Sequence, residues 1–361
     1  MTLTETILSK QSLDFEDIIH ILSLEDKAEQ QLVFDKALEV KEKTIGRKVF
    51  LRGLIELSNI CRKDCYYCGI RKSNDRVTRY SLTHEEALES ARFAHDNHFG
   101  SIVIQSGELL GKHFVDDLEQ LISSIHKNFP ELLITLSCGE HDIDVYRRWR
   151  EAGADRYLLR IESSNPELYH KIHPNDVHHD YDKRLTALDN LRKAGYQVGT
   201  GVMIGLPWQS INDLANDLLF FRNIDVDMIG MGPYIEHSET PLYQQRHTLW
   251  SYERRFSKSL LMIAALRILM PTINIASSTA LETLDPQGRQ KGLLAGANVV
   301  MPNVTPLAKK VDYKLYEKKA GLYFDSSQSL AHIKDSIEQC GDSLCLDNPG
   351  IPRHFTDRIS Q

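Results

Sequence analysis

The sequence predicts an α/β protein built on a (β/α)8 barrel of the TIM type. Short runs rich in β-branched or apolar residues alternate with segments of helical period, and this alternation repeats eight times. Alternating strands and helices favour a parallel sheet covered by helices, and eight repeats allow the sheet to close. The predicted strands cover residues 49–57, 101–105, 132–136, 156–161, 197–205, 227–233, 274–277 and 297–301.

The segments on either side of this alternation have different patterns. Residues 1–46 repeat apolar side chains at helical spacing and reach their first glycine at Gly46, which predicts an N-terminal helical segment. The barrel is expected over residues 47–310, and its first helix opens with a capping box at Thr83. The pattern then becomes irregular, so residues 311–361 are expected to form a C-terminal extension packed on the barrel.

Composition limits the classes of function. The chain has 361 residues, of which 42% are hydrophobic and 26% are charged, as in ordinary globular proteins. Its net charge is -7, it has no basic block, and it has no long apolar run, so neither a nucleic-acid nor a membrane partner is indicated. The six cysteines form no disulfide framework, which favours a reducing cytoplasm.

Three of those cysteines, Cys61, Cys65 and Cys68, lie close together in the pattern C-x3-C-x2-C directly after the first predicted strand. A closed structural zinc site needs four ligands, whereas three thiolates suit a [4Fe–4S] cluster with one iron left open. Tyr67 adds an aromatic side chain beside that iron. The residues alone leave two alternatives open: three free thiols of a reduced protein, or a zinc site with a distant fourth ligand.

Other unusual polar residues follow the predicted strands at the end where barrel enzymes carry their chemistry. Gln105 to Glu108 follow the second strand, and Thr135 and Ser137 end the third. Arg160 and Glu162 alternate on the fourth, so they point to the same side as a buried ion pair or a ligand clamp. Three histidines, at positions 178, 179 and 237, lack ligand spacing and are expected to be solvated.

The cysteine pattern resembles the radical S-adenosylmethionine (SAM) family, in which the open iron binds SAM and one electron releases a 5′-deoxyadenosyl radical. Longer stretches are similar to one group within it, the HydE-type [FeFe]-hydrogenase maturases, which belong with biotin synthase. These stretches are residues 52–61, 105–108, 152–160, 232–237 and 296–303.

The resemblance implies two cofactors, a [4Fe–4S] cluster and SAM, and roles for individual residues. The implied cluster ligands, which are also the catalytic residues, are Cys61, Cys65 and Cys68. The implied SAM contacts are Tyr67, Glu108, Ser137, Arg160, Glu162, Arg184 and Met203. The implied substrate cavity is lined by Arg52, Gln105, Thr135, Met228, Ser278, Thr279 and Tyr316.

The resemblance also implies a substrate and partners. The substrate would be an iron bearing cysteine, carbon monoxide and cyanide, delivered by the maturase HydG, and the product would be a step toward the diiron subcluster of the H-cluster. Transient contacts with HydG and with HydF are expected, while the electron donor is not indicated.

Two departures from the family and two alternative functions complete the prediction. Ile161 stands where some relatives have histidine, and Cys340 and Cys345 are too few for the second cluster of other relatives, so one cluster is expected. The first alternative is a methylornithine synthase-like radical SAM mutase that acts on lysine. The second is a non-catalytic carrier of an iron complex, which would not cleave SAM.

Overall fold

The computed structural model describes residues 1–360 and begins with a layer of three helices. These are α1 (Leu3–Leu8), α2 (Phe15–Ser23) and α3 (Lys27–Thr44), and the side chains of Thr2, Asp14 and Asp26 accept hydrogen bonds from their first-turn amides. The layer covers the outside of the barrel, because α2 packs on α9 (Ile211–Asn223) and α3 packs on α10 (Tyr252–Leu269).

The strands that follow form a closed parallel barrel, which confirms the predicted fold class. Neighbouring strands pair in the order β10, β1, β2, β3, β4, β5, β7 and β9. A parallel bridge between Ala276 and Val299 joins β9 to β10 and completes the ring. The strands are β1 (Lys48–Ser58), β2 (Ser101–Ser106), β3 (Leu133–Ser137), β4 (Ala154–Leu158), β5 (Gln197–Thr200), β6 (Met203–Ile204), β7 (Met228–Ile229), β8 (Gly232–Pro233), β9 (Asn274–Ile275) and β10 (Val299–Val300).

Two predicted strands, 197–205 and 227–233, are each interrupted in the structure. The backbones of Gly201 and Gly230 approach so closely that a Cβ on Gly201 would lie 1.9 Å from the Gly230 carbonyl oxygen. The strands therefore break at these glycines and resume as β6 and β8, which pair with each other at the C-terminal end of the barrel.

Helices cover the outside of the barrel and return the chain from the C-terminal to the N-terminal ends of the strands. The remaining ones are α4 (His84–Asp96), α5 (Lys112–Asn128), α6 (Ile143–Glu151), α7 (Pro166–Ile172), α8 (Tyr181–Lys193), α11 (Thr279–Leu284), α12 (Gly288–Leu294), α13 (Leu307–Lys310), α14 (Ser326–Gln339) and α15 (Arg353–Ile359). Within residues 1–360, every helix is too short or too polar to cross a membrane.

The segment after α13 reaches both ends of the barrel. Near the C-terminal end, the Leu315 carbonyl accepts a hydrogen bond of 2.9 Å from the amide of Gly69. The chain then descends, and β11 (Ser343–Cys345) pairs with the first residues of β1. At the N-terminal end, the Pro349 carbonyl accepts a bond of 2.7 Å from Arg156 inside the barrel. The division of the chain at residues 46 and 310 stays a prediction.

A buried carboxyl group on α9 gives the fold an expected pH dependence. Asp217 is fully buried and accepts hydrogen bonds from the Ser164 amide (2.7 Å) and hydroxyl (2.6 Å). Burial raises the pKa of this carboxyl to about 7. Between its ordinary pKa and this raised pKa, the folded protein holds a proton that the unfolded chain has lost. The stability that the protonated carboxyl contributes is therefore complete below about pH 4 and is lost as the pH rises through about 7.

We expect Asp217→Asn to remove this dependence. Relative to the wild type, the variant should gain about 2–4 kcal/mol in free energy of unfolding between pH 4 and pH 8. Urea unfolding at both pH values measures the difference. The control is Asp189→Asn on the exposed face of α8, which should follow the wild type at both pH values. Parallel pH profiles for all three proteins would contradict the prediction.

Candidate active site

The three predicted cluster ligands lie in one loop at the C-terminal end of β1. Backbone hydrogen bonds hold this loop to three other parts of the molecule. The Arg62 amide donates to the Glu108 carbonyl (2.9 Å), the Tyr66 amide to the Ile172 carbonyl (3.0 Å), and the Gly69 amide to the Leu315 carbonyl (2.9 Å). Each of the cysteines Cys61, Cys65 and Cys68 is therefore next to a fixed backbone position.

The environment of the thiols suits a multi-iron cluster. Burial raises the pKa of the Cys65 thiol to about 12 and also raises the pKa values of Cys61 and Cys68. The neighbouring cysteines raise the pKa values of Cys65 and Cys68 further. Three thiolates at this place therefore need a bound cationic group. Among the described residues, no three His, Cys, Asp or Glu side chains are spaced for a single metal ion. A four-iron cluster fits this loop better, because each thiolate binds a different iron.

Tyr67 is fixed by a histidine that the sequence reasoning missed. Its hydroxyl donates to Nε2 of His173 at 3.2 Å, and the Nδ1 proton of His173 goes to the Tyr169 carbonyl at 2.8 Å. Burial lowers the pKa of His173 well below its usual range, so the ring is neutral and can accept the Tyr67 proton. A local signal for α7, the helix that His173 follows, was present in the sequence: Asn165 caps the helix and Pro166 is its first residue.

The prediction that histidines 179 and 237 are solvated is wrong. His179 is 2% exposed and accepts a hydrogen bond of 3.0 Å from the Asp64 amide within the cysteine loop. His237 is also buried and lies against Gly69, where a Cβ would be 2.5 Å from its ring. Both rings support the loop rather than facing solvent.

A network of charges lies beneath the cysteine loop. Glu108 accepts hydrogen bonds from Nε of Arg62 and from the amide of Glu140, both at 2.9 Å. Glu140 in turn pairs with Lys63 at 2.9 Å and with Arg184. Both oxygens of Glu108 are thus held by the protein, and a direct contact between this carboxylate and SAM stays a prediction.

Other predicted SAM contacts do come together at the ends of β4 and β5. Arg160 and Glu162 form a two-pronged ion pair with both N–O distances at 2.9 Å. Glu162 has a φ of +65°, a left-handed conformation that a glutamate adopts only where the surroundings enforce it. Arg184 donates to the Arg160 carbonyl at 3.1 Å, and the Met203 amide donates to the Glu162 carbonyl at 3.2 Å. Ser137 ends β3, the strand next to β4, and it pairs in register with Gln105 on β2.

The barrel interior holds buried donors without protein acceptors. Arg52 on β1 donates one hydrogen bond, from Nη1 to the sulfur of Met228 at 3.0 Å. In the part of the chain that the structure describes, Arg52 Nε and Nη2 and the hydroxyls of Thr135 and Ser278 have no partner. Burial, together with the nearby Arg156, lowers the pKa of Arg52. Donors left unpaired in a cavity indicate a ligand that accepts hydrogen bonds.

The remaining predicted cavity residues come from β2, α11 and the C-terminal segment, and their contact with a substrate stays a prediction. Gln105 pairs in register with Glu56 of β1, and Thr279 is the first residue of α11 directly after Ser278. Tyr316 comes from the C-terminal segment and lies near Thr283 of α11.

Two cavity residues were missed by the sequence reasoning. Glu56 is 1% exposed, points to the same side of β1 as Arg52, and forms an ion pair with Lys319 of the C-terminal segment. Asn303, which follows β10, has an Nδ2 group with no acceptor among the described side chains and backbone. The alternation Arg52, Leu54, Glu56 was the available signal for Glu56, because alternate residues of a strand share a face.

Comparisons with known proteins agree with this fold and identify the family. The family profile described as the Radical SAM superfamily matches residues 55–221. The chain is 39% identical over 350 residues to the [FeFe] hydrogenase maturase subunit HydE of Thermotoga maritima, covering 96% of this chain and 97% of the relative. It is 27% identical over 310 residues to 3-methylornithine synthase of Methanosarcina barkeri, covering 84% and 83% of the two chains.

Two solved structures share the fold at low sequence identity. Methylornithine synthase superposes with a TM-score of 0.80 at 23% identity, covering 100% of both chains. The [FeFe]-hydrogenase maturase HydG of Carboxydothermus hydrogenoformans superposes with a TM-score of 0.80 at 21% identity, covering 98% of this chain and 81% of that one.

The closed barrel and the cysteine loop therefore define a radical SAM enzyme, whose cofactors are a [4Fe–4S] cluster and SAM. Within that superfamily, the chain belongs to the HydE family of [FeFe]-hydrogenase maturases.

Proposed function

We propose that this enzyme acts, through the 5′-deoxyadenosyl radical, on an iron complex that bears cysteine, carbon monoxide and cyanide during assembly of the diiron subcluster of the H-cluster. The proposal is supported by the identity to a HydE maturase over nearly the whole chain. A HydG-type maturase would supply the iron complex, and HydF is a further transient partner.

The unpaired hydrogen-bond donors in the barrel are the observation that supports this class of substrate. Arg52 offers a guanidinium, and Thr135 and Ser278 offer hydroxyls, all without acceptors in the described structure. Cyanide and carboxylate groups accept such hydrogen bonds, and the charge of Arg52 strengthens them. Because Arg52 and Thr135 are 4% and 1% exposed, a ligand bound between them would be shielded from water.

The residues at the strand ends would bind and orient SAM. Cys61, Cys65 and Cys68 would hold the cluster, which when bound supplies the electron that cleaves the sulfonium of SAM. Arg160, Glu162 and Arg184 form a connected group of charges beside Met203, at the rim where the amino-acid end of SAM needs both signs of charge. Tyr67 is kept in one orientation by neutral His173.

The methylornithine synthase alternative would require a different cavity. A lysine substrate presents one carboxylate and two ammonium groups, and each ammonium group needs an unpaired carboxylate or carbonyl. Here the unpaired groups of Arg52, Thr135 and Ser278 include a fixed cation. Glu56 pairs with Lys319 through Oε1, so its Oε2 is one unpaired acceptor beside this larger set of donors. This donor-rich cavity favours the iron complex over lysine.

Anaerobic SAM cleavage tests the proposed function. The reconstituted enzyme is mixed with SAM and dithionite, and 5′-deoxyadenosine is measured alone, with the iron–cysteine complex, and with lysine. We expect the iron complex to increase 5′-deoxyadenosine formation and lysine to leave it unchanged. Stimulation by lysine would favour the mutase, and complete absence of cleavage with an intact cluster would favour a carrier.

A further inference from the structure

Positive charge is concentrated in two segments of a chain that is acidic as a whole. Residues 60–79, which include the cysteine loop, contain six Lys or Arg and two Asp or Glu. Residues 309–319 of the C-terminal segment contain five Lys or Arg and two Asp or Glu. Because the whole chain carries -7, these two segments at +4 and +3 leave -14 on the rest of the molecule.

The two segments lie against each other and form one surface, which we call the basic rim. The Gly69 amide donates to the Leu315 carbonyl at 2.9 Å. The Asn59 side chain bridges them further, since its Nδ2 donates to the Thr78 carbonyl at 2.8 Å and to the Asp312 carbonyl at 2.9 Å. The basic rim therefore borders the cluster loop directly, with Gly69 next to the predicted ligand Cys68.

The inner cations of the basic rim are neutralised, but its outer lysines are not. Arg62 pairs with Glu108 at 2.9 Å, and Arg71 pairs with Asp64 at 2.7 Å. Lys72, Lys314 and Lys318 are exposed, and none of them pairs with a carboxylate in residues 1–360.

We propose that the basic rim is the docking surface for an acidic one-electron carrier protein that reduces the cluster. This inference rests on the proposed radical SAM function, because that reaction consumes one electron from outside the enzyme. In the transfer the carrier, with a low-potential flavin or iron–sulfur centre, is oxidised by one electron and the cluster is reduced by one. No bond is formed or broken and no proton needs to move.

The charge distribution explains why the carrier would arrive at this place. A positive surface on a negative molecule orients an acidic partner before contact, which raises the association rate at low ionic strength. Docking at the basic rim places the carrier beside Cys68, and it leaves the barrel interior with Arg52 and Thr135 free for substrate.

The test compares two double variants of the reconstituted enzyme that change the charge equally. Lys72→Glu with Lys314→Glu alters the basic rim. Lys48→Glu with Lys127→Glu is the matched control, because Lys48 begins β1 and Lys127 lies in the last turn of α5, and both are exposed at the opposite end of the barrel. A reduced flavodoxin and a reduced [2Fe–2S] ferredoxin serve as acidic probes. Stopped-flow absorbance measures cluster reduction, and calorimetry measures binding, over a series of NaCl concentrations.

For the wild type and the control, we expect reduction to slow steeply with added salt. The rim variant should be slower by about tenfold or more at low salt and nearly independent of salt. SAM cleavage with dithionite should be the same in all three proteins, so a failure of that reaction would count against the proposed function instead. Equal carrier rates in the two variants, or DNA oligonucleotide binding as tight as carrier binding, would overturn the docking proposal.

Discussion

Replacing any one of Cys61, Cys65 and Cys68 by alanine is expected to abolish both the cluster and SAM cleavage. Each thiolate would hold a different iron, and the loop offers three thiols in all, so the loss of one leaves an iron with no protein ligand. The expected results are loss of the EPR signal of the reduced cluster, low iron content, and no 5′-deoxyadenosine.

The matched control is the double change Cys340→Ser with Cys345→Ser. The Cys340 thiol donates to the Ser336 carbonyl at 3.2 Å, and Cys345 lies in β11 at the opposite end of the barrel from the cysteine loop. This variant should keep the iron content of one [4Fe–4S] cluster and full activity. A halved iron content would reveal a second cluster, and a retained EPR signal in any loop variant would remove that cysteine from the ligand set.

The sequence was sufficient for the barrel because its strands and helices have distinct periods over most of the chain. The strand breaks at Gly201 and Gly230 were not predicted. The two backbones meet at these residues, and a Cβ placed on Gly201 would lie 1.9 Å from the Gly230 carbonyl oxygen. Such contacts depend on where two strands meet, and composition does not carry that information.

The site was predictable where strand ends supplied the residues, and less so where distant segments did. The Arg160–Glu162 pair was predicted from alternation along the fourth strand, and the structure contains the pair just beyond the end of β4 at Leu158, where Glu162 has left the strand conformation. Glu56 pairs with Lys319 and His179 binds the Asp64 amide, and these partners are 263 and 115 positions apart in the chain. An ion pair of this kind depends on how the C-terminal segment returns over the barrel, and no local pattern encodes that path.

The Arg160–Glu162 pair is the place where a structural role and a SAM-binding role can be separated. Glu162→Gln removes the charge while keeping the shape of the side chain, and SAM affinity is expected to fall about ten- to a hundredfold. This corresponds to roughly 1.5–3 kcal/mol for one hydrogen bond to a charged group. Anaerobic calorimetry measures the dissociation constant, and the iron content should match the wild type because the cysteine loop is unchanged.

A second two-pronged pair in the same chain supplies the control. Arg255 binds Glu236 with N–O distances of 3.0 and 3.1 Å, and neither residue is among the predicted SAM contacts. Glu236→Gln therefore breaks an equivalent pair and should leave SAM affinity unchanged. If both variants weaken SAM binding equally, the effect comes from the barrel as a whole. If neither does, Arg160 and Glu162 serve to fix the left-handed turn at the end of β4, and SAM must be bound by the other charges at the rim.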